Sequence, residues 1–402
     1  MKEETDFNYN DFEKEAIEKL KSGVPLEGKD GILAPMIKRL VEASLEGELN
    51  SHLEEPIINR RNGKTTKKVK TGFGNIEIAT PRDRNSTFEP KILPKRQTVL
   101  GEALDHKVIS MYSKGVSYKD ICEHLEDLYG LTVSPGTLST ITNSVIEDIK
   151  LWQNRPLETV YPFLWLDAIH YKVREDNAIK TKAVYCVLGL TREGIKDLLG
   201  LYIGENEGAR FWLSVLSDLQ SRGIKDIFIA CIDNLKGFAE AIESIFPQAE
   251  VQLCVVHQLR NSLRYVPHKD KKAVMQSLKP IYQAPNKEMA ERALNDLDLE
   301  WNKKYPAMVK GWLNNWDRLS NYFKYPSEIR RIIYTTNIIE SFHSQLRKVT
   351  KSKRVFSSDM SLMKLLYLVY INLQRGWYRG ILGWKLAMSQ IMIIFEERMN
   401  AP

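Results

Sequence analysis

Apolar and polar positions alternate along the chain with two different periods, which predict where helices and strands form. Residues 30–53 carry apolar positions at helical spacing, so we expect a long amphipathic helix there. Such a helix buries its apolar stripe either against a partner chain or on its own domain. Residues 67–84 contain two alternating runs around Gly72-Phe73-Gly74, which predicts a basic β-hairpin with Phe73 at its tip.

The segment 98–150 predicts three helices with helix-turn-helix spacing, the third with Ser134 as N-cap and Pro135 at the first helical position. That third helix begins GTLSTITNSVI, with hydroxyls and an amide but no charge. From Asp105 to Lys150 acids outnumber bases seven to four. The bundle therefore suits contact with base edges better than with phosphates, although a trihelical bundle without DNA contact shows the same pattern.

From residue 160 to 257 the period changes to that of strands. The runs FLWLDAIHYKV, TKAVYCVLGLT and IKDLLGLYIGE predict an antiparallel meander, followed by a helix, a strand, a helix and a strand. This β-β-β-α-β-α-β order predicts an α/β fold, in which a mixed sheet carries helices on its faces. Residues 258–335 are helical and charged, and their tryptophans 301, 312 and 316 are expected in a core, with stacking on a DNA base as the alternative.

Composition and charge narrow the function. The 402 residues are 43% hydrophobic and suffice for two to three globular domains. The net charge is +7, but residues 60–84 carry +6 and residues 347–354 carry +5, which leaves −4 for the remainder. Two basic segments favour contact with a polyanion, although a solvated surface has the same composition. The basic residues expected to contact DNA are Arg60, Arg61, Lys64, Lys67, Lys68, Lys70, Arg82, Arg84, Arg347, Lys348, Lys351, Lys353 and Arg354.

No stretch of the sequence has the pattern of a signal peptide or a membrane span, because the apolar runs near the C-terminus extend only ten residues between charges. The four cysteines, at positions 122, 186, 231 and 254, are far apart, which predicts reduced thiols. We therefore expect a cytoplasmic protein without disulfides or membrane contact.

Two aspartates stand out within the strand region. Asp167 lies at the centre of an apolar strand and shares a face with Trp165 and Ile169, where a lone carboxylate needs a compensating partner. Asp233 ends the strand DIFIACID at the carboxyl edge of the sheet, where α/β proteins build sites. An aspartate closing a strand is also a common turn former or helix cap.

A third carboxylate, Glu340, lies on the helix NIIESFHSQLRKVTK, on the same outward face as Arg347 and Lys351. Its structural alternative is a capping box with Asn337. In the predicted fold, Asp167, Asp233 and Glu340 can converge on one point. Three carboxylates without cationic partners are held together by divalent metal, and their hard oxygen ligands favour Mg²⁺ or Mn²⁺, with two ions at the site. Two such ions promote in-line displacement at a phosphodiester.

Several stretches together resemble the Mutator-type transposases of bacterial insertion sequences. They are TGFGNIEIATPRDRNSTFEPKILPK, LDAIHYKV, LGLYIGENEGARFWLSVLSDLQSRG, CIDNLKGFAEAIESIFPQAEVQLCVVHQLRNSLRYV, WNKKYPAMVKGW and IIYTTNIIESFHSQLRKVTK. The resemblance covers nearly the whole chain. It implies that Asp167, Asp233 and Glu340 form a catalytic and metal-binding DDE triad on an RNase H-like core, interrupted by an all-α insertion. It also implies a homodimer that pairs transposon terminal inverted repeats and joins them to target DNA by a copy-out route through a circular intermediate.

The family's Cys-x-x-His element corresponds to Cys254 and His257, which we expect to pack near the active site. A structural zinc site usually needs four ligands, and the other cysteines are isolated, so zinc is disfavoured. Two positions depart from the family pattern. Asn234 stands where glycine is usual, and His343 stands where asparagine is commoner. Neither change removes a candidate ligand.

The expected division of the chain has six parts. They are an N-terminal helical and candidate dimerisation region (1–60), a basic hairpin and linker (61–97), a helix-turn-helix-like DNA-binding domain (98–155), the first part of the core (156–257), the all-α insertion (258–335), and the last part of the core with C-terminal helices (336–402). Two other functions stay open at this stage. One is a catalytically inactive DNA-binding regulator, and the other is a structure-selective nuclease on the same fold.

Overall fold

The structure is a computed structural model that describes residues 9–26, 31–54, 59–71, 74–95, 99–100, 102–129, 131–204, 208–235, 237–334 and 337–399. The chain divides into two compact units, residues 1–144 and residues 145–402. Each unit has its own core, and the six-part division remains a finer prediction.

The first unit opens with two helices and a small sheet. The elements are α1 (Tyr9–Lys21), α2 (Ala34–Leu53), β1 (Arg61–Thr71), β2 (Gly74–Asp83) and β3 (Val99–Leu100). Strand β1 lies between the others, antiparallel to β2 and parallel to β3. The predicted hairpin is therefore present, and its first strand starts earlier than the alternation indicated. Gly72 and Phe73, at the expected tip, lie outside the described residues.

Helix α2 packs on the hairpin of its own unit. One apolar cluster joins them, formed by Val41, Leu45, Val69, Ile76, Ile78 and Leu93. At the edge of the sheet, Glu42 Oε1 accepts a hydrogen bond of 2.8 Å from the backbone N–H of Ala79. The apolar stripe of α2 is therefore buried against the hairpin. Of the two alternatives for this helix, packing on its own domain is the one observed.

Three helices complete the first unit, namely α3 (Glu102–Ser113), α4 (Tyr118–Tyr129) and α5 (Pro135–Asn143). The predicted start of the third helix is confirmed, because Ser134 Oγ accepts from the backbone N–H of Thr137 at 3.1 Å. The helix ends sooner than its sequence pattern indicated. At Ser144 the backbone N–H turns back to Ile141 O at 3.2 Å, and a separate helix, α6 (Val145–Gln153), opens the second unit.

The second unit is built on a five-stranded sheet. Its strands are β4 (Val160–Glu175), β5 (Ala178–Leu190), β6 (Lys196–Gly204), β7 (Asp226–Ile232) and β8 (Glu250–Leu253), with α7 (Ala209–Ser221) between β6 and β7 and α8 (Phe238–Ile245) between β7 and β8. The strand order is β6-β5-β4-β7-β8. Strands β4, β5 and β6 are antiparallel, whereas β7 and β8 run parallel to β4. The predicted α/β class, element order and mixed sheet are confirmed.

Local sequence explains how these elements form. Asp176 and Asn177 have φ of 49° and 59°, the left-handed conformation that a two-residue hairpin turn between β4 and β5 requires. Strand β4 is buried along most of its first ten residues because it lies at the centre of the sheet. Trp212 of α7 and Phe238 of α8 stack with ring centroids 3.7 Å apart, which joins these two helices.

A helical block follows β8. It contains α9 (Val255–Ser262), α10 (His268–Tyr282), α11 (Lys287–Trp301), α12 (Pro306–Asn314), α13 (Trp316–Leu319) and α14 (Ser327–Ile333). Trp301 and Trp312 are buried, and their indole N–H groups donate to Ser277 Oγ at 3.0 Å and Ser262 Oγ at 2.9 Å. For these two tryptophans the core interpretation is confirmed.

The last elements return to the sheet. They are α15 (Asn337–Thr350), α16 (Asp359–Gln374), α17 (Trp384–Ile394) and α18 (Glu396–Met399). Arg398 donates two hydrogen bonds, of 2.9 and 2.6 Å, to the Asp226 carboxylate at the start of β7. None of the described helices combines the length and the apolar character that a membrane-spanning segment needs. The four cysteines all lie in the described ranges, and none forms a disulfide.

Candidate active site

Strand β4 holds Asp167 inside the sheet, opposite Cys186 of β5. Only 8% of Asp167 is exposed, and one carboxylate oxygen, Oδ1, accepts from the backbone N–H of Ala168 at 2.8 Å. Burial raises the pKa of Asp167, whereas the positive charge of His257 and the Ala168 hydrogen bond lower it, and the charge of Glu340 raises it again. Asp167 is therefore a buried acid with a second carboxylate close enough to affect its pKa.

The parallel register of β4 and β7 brings Asp233 next to Asp167. Leu166 pairs with Ile232, and each aspartate is the residue that follows its member of this pair. The two aspartates thus occupy equivalent positions, Asp167 within β4 and Asp233 directly after the end of β7. At the same edge, the backbone N–H of Cys254 donates to Ile232 O at 2.8 Å, so the start of α9 adjoins Asp233.

Glu340 comes from the first turn of α15. This helix buries Ile339, Phe342 and Leu346, which leaves Glu340 partly exposed, with 26% of its side chain accessible. Glu340 Oε1 accepts from Arg260 Nη1 at 2.6 Å. Helix α15 is described from Asn337 onward, directly after two residues outside the described ranges, so the capping box with Asn337 stays an alternative. The Glu340 carboxylate is engaged by a residue 80 positions away.

His257 lies among the three acids. Its Nε2 is 4.0 Å from Glu340 Oε1, and both Asp167 and Asp233 act on it electrostatically. A hydrogen bond with Cys254 is the largest cause that raises the pKa of His257 to about 9, and the charges of the two aspartates act in the same direction, against the opposing effect of burial. At neutral pH His257 is thus a cation close to Glu340 and within electrostatic range of the two aspartates. The expectation that Cys254 and His257 pack beside this site is consistent with their positions.

His343, also on α15, contacts the other carboxylate oxygen of Asp167. Its Nδ1 is 3.4 Å from Asp167 Oδ2, and its ring is buried. Burial lowers the pKa of His343 to about 3, and the positive charges of Arg347 and His257 act in the same direction. His343 is therefore neutral at physiological pH.

Carboxylate oxygens are the hard ligands that Mg²⁺ and Mn²⁺ prefer, and a buried acid such as Asp167 needs a compensating charge. Chemically, then, the set of acids fits a divalent metal. In the described part of the chain, however, no three His, Cys, Asp or Glu side chains stand close enough together to hold a metal ion. The protein's own cations, His257 and Arg260, compensate the acids in this conformation. A zinc site at Cys254 and His257 is likewise not formed by the described residues.

The basic residues of the hairpin fall into different environments. Lys67 is on the core-facing side with Val69, and its Nζ donates to Pro94 O at 2.9 Å. Lys68 is on the opposite face and is exposed. Arg61 and Lys64 are exposed but pair with Glu46 of α2, at 2.9 and 2.7 Å. The side chain of Lys70 lies outside the described residues, and Arg60, Arg82 and Arg84 are exposed.

The second basic segment continues from α15. Arg347 is exposed and lowers the pKa of Asp167 by its charge, which locates it near the candidate active site. Lys348, Lys351 and Arg354 are exposed as well. Lys353 is partly buried over Phe356, with Nζ 6.0 Å from the ring centre, and burial lowers the pKa of Lys353 to about 8.

Sequence reasoning missed two residues of this site. Arg260 follows Cys254 and His257 at three-residue spacing, and residues three apart share a helix face, so the motif C-x-x-H-x-x-R carried a usable signal. His343 was recognised only as a departure from the family pattern. Its contact with Asp167 depends on how α15 crosses β4 and has no local signal.

The second unit combines a mixed α/β sheet, the acids Asp167, Asp233 and Glu340, and the basic end of α15, and these are the groups that phosphodiester chemistry on a nucleic acid requires. A family model described as Transposase, Mutator family, matches residues 10–380. The chain belongs to this family, and it is a transposase.

Relatives of known name agree. The chain is 44% identical over 396 residues to a probable transposase for insertion sequence element ISRM3-like from Sinorhizobium fredii, covering 96% of this chain and 99% of that protein. It is 43% identical, with the same coverage, to the transposase for insertion sequence element ISRM3 from Rhizobium meliloti. Among solved structures, a Drosophila P element transposase strand transfer complex aligns with 67% of this chain and 92% of that chain, at 11% identity and a TM-score of 0.39.

Proposed function

We propose that this transposase binds the terminal inverted repeats of an insertion sequence and cleaves and joins DNA with Asp167, Asp233 and Glu340 as its catalytic carboxylates. The observation that supports this most is the β4–β7 register, in which Asp167 and Asp233 directly follow the paired residues Leu166 and Ile232. His257 supports the inclusion of Glu340 in this site, since its Nε2 lies 4.0 Å from Glu340 Oε1 and both aspartates raise its pKa. The strand order and the position of the helical block agree with an RNase H-like core carrying an all-α insertion.

The three acids would hold two Mg²⁺ or Mn²⁺ ions. Bound there, the metal would activate the attacking oxygen and stabilise the leaving oxygen at phosphorus. In the cleavage step, the oxygen of water bonds to phosphorus and the P–O3′ bond breaks, leaving a 3′-hydroxyl and a 5′-phosphate. In the joining step, that 3′-hydroxyl oxygen bonds to a target phosphorus and displaces the target's own 3′ oxygen. Neither step involves an oxidant or a reductant.

The protein's own residues would prepare the site for these steps. Asp167 is fixed in the sheet by the Ala168 hydrogen bond and contacts His343, so its carboxylate has little rotational freedom. Preorganised groups of this kind avoid a reorganisation cost during reaction. The exposed cations near the end of α15, Arg347, Lys348 and Lys351, would bind phosphates of the DNA beside the acids.

Recognition of the transposon end would belong to the first unit. The exposed face of the hairpin, with Lys68, would contact phosphates, and the uncharged start of α5 would contact base edges. We also propose that two copies pair two transposon ends, that transposition follows a copy-out route through a circular intermediate, and that the protein acts in the bacterial cytoplasm on the nucleoid. These three points rest on the family resemblance.

The test is to incubate the purified protein with DNA carrying the terminal repeats of its insertion sequence, in Mg²⁺, and to map the cut and joined strands. We expect cuts at the transposon end, followed by joining of the new 3′-hydroxyl to a second DNA. Cleavage without joining would instead indicate a nuclease. Sequence-specific binding with neither reaction, in both Mg²⁺ and Mn²⁺, would contradict the catalytic proposal.

A further inference from the structure

We propose that Arg260 is a positioning residue with two alternative partners, the Glu340 carboxylate before metal binds and a phosphate of the bound DNA afterwards. The proposal rests on the proposed role of Glu340 as a metal ligand. It assigns a function to a residue outside the three acids and outside the Cys-x-x-His element.

The geometry of α9 supports the first half of this proposal, the pairing of Arg260 with Glu340. Cys254 caps the helix, and His257 and Arg260 follow at intervals of three residues, so both cations face the acids. Arg260 Nη1 lies 2.6 Å from Glu340 Oε1, and His257 Nε2 lies 4.0 Å from the same oxygen. Within the described residues, Glu340 is the one acidic partner of Arg260. The guanidinium thus occupies Oε1 of Glu340, an oxygen that is a metal ligand in the proposed site.

Arg260 and a divalent metal ion compete for Glu340 because both are positively charged. A guanidinium in contact with Glu340 repels a divalent cation and uses an oxygen that the cation would coordinate. The Arg260 side chain is 57% exposed, and ion pairs at such exposure are weak. Metal can therefore displace Arg260, and the competition reduces metal affinity by only about two- to fivefold.

The exposure of Arg260 also supports the second half of the proposal, its contact with a DNA phosphate. Arg260 donates one of its five N–H groups to Glu340, and more than half of its side chain is exposed to solvent. A guanidinium that leaves a carboxylate is suited to bind phosphate, because its planar fork matches two phosphate oxygens. Beside the acids, that phosphate is one at or next to the reacting bond, where a donor stabilises charge as it develops.

The experiment compares Arg260→Gln with Arg264→Gln, a matched control in which another exposed arginine four residues further on is changed. Mg²⁺ affinity of the DNA-free protein is measured by calorimetry, and the cleavage rate is measured in single turnovers on bound DNA. For Arg260→Gln we expect metal affinity to rise about two- to fivefold and the cleavage rate to fall at least about tenfold. The control should keep both values, and unchanged melting temperatures should show that both variants fold.

These opposite changes separate the proposal from simpler roles. Unchanged or weaker metal binding in Arg260→Gln would overturn the competition, and unchanged cleavage would overturn the phosphate contact. Arg260→Lys retains the charge without the fork, so we expect wild-type metal affinity with cleavage between those of the wild type and the Gln variant. If the wild-type protein binds no divalent metal, or if Asp167→Asn binds it equally well, the proposed function itself fails, and that outcome is distinct from a failure of the Arg260 role.

Discussion

The imidazole of His343 contacts the carboxylate of Asp167, with Nδ1 3.4 Å from Oδ2, yet the pair is not a salt bridge, because burial keeps His343 neutral. Within the described part of the chain, the other ring nitrogen, Nε2, has no hydrogen-bond partner. Of the two neutral tautomers, the one with its proton on Nδ1 directs that proton toward the Asp167 carboxylate. An asparagine at this position would present an amide N–H₂ group as the donor instead.

The first prediction concerns His343 and pH. Its folded-state pKa of about 3 is below the unfolded value near 6.5, so the unfolded chain binds the extra proton first. The resulting stability is present above pH 6.5 and is lost as the pH falls from there toward 3. In EDTA, the free energy of unfolding of the wild type should therefore fall by about 2 kcal/mol more than that of His343→Asn between pH 7 and pH 5. Urea unfolding at both pH values measures this, and equal losses in the two proteins would contradict the buried neutral histidine.

The second prediction concerns the two aspartates. We expect Asp167→Asn and Asp233→Asn each to abolish cleavage and joining, because an amide does not supply the negative charge that a divalent metal requires. Binding to transposon ends should persist, since neither side chain is expected to contact DNA. Gel shifts measure binding, and gel-resolved strand products measure activity. Near wild-type cleavage in either variant would refute the metal assignment.

The third prediction concerns Glu340. Glu340→Gln removes the charge but keeps a side chain of the same shape, so the start of α15 should remain intact. Because the Arg260 pair is largely exposed, its loss should cost no more than about 1 kcal/mol. We expect an almost unchanged melting temperature and DNA affinity, with cleavage reduced by orders of magnitude. If the Gln variant cleaves and joins at the wild-type rate, Glu340 has only its structural role.

The fourth prediction separates two adjacent lysines of β1. Lys68→Ala should lower DNA affinity across sequences and reduce the slope of log affinity against log salt by about one, as expected when one phosphate contact is lost. Lys67→Ala is the matched control. Its ammonium group donates to Pro94 O, so this change should lower the melting temperature and leave the salt slope nearly unchanged. Equal slopes for wild type and Lys68→Ala would mean that Lys68 is only solvated.

Much of the fold was accessible from local pattern. Hydrophobic alternation predicted the hairpin and the five strands of the second unit, and the Ser134-Pro135 signal marked the start of α5. Element ends were less accurate, as at Ser144, because a break of one residue leaves no periodic trace. The dual possibility for the helix at residues 30–53 could not be resolved either, since the same apolar stripe fits a partner chain and the hairpin that α2 covers.

The sequence by itself determined the family and the element order, and it singled out Asp167, Asp233 and Glu340 as the candidate acids, because each depends on residue type and spacing along the chain. Only the tertiary structure decided which charges surround those acids. The pairing of Arg260 with Glu340 and of His343 with Asp167 joins residues 80 and 176 positions apart, and strand register and helix packing set such contacts. The same holds for Lys67 and Lys68. They are neighbours of equal charge in sequence, but the pleat of β1 turns one toward Pro94 and the other toward solvent.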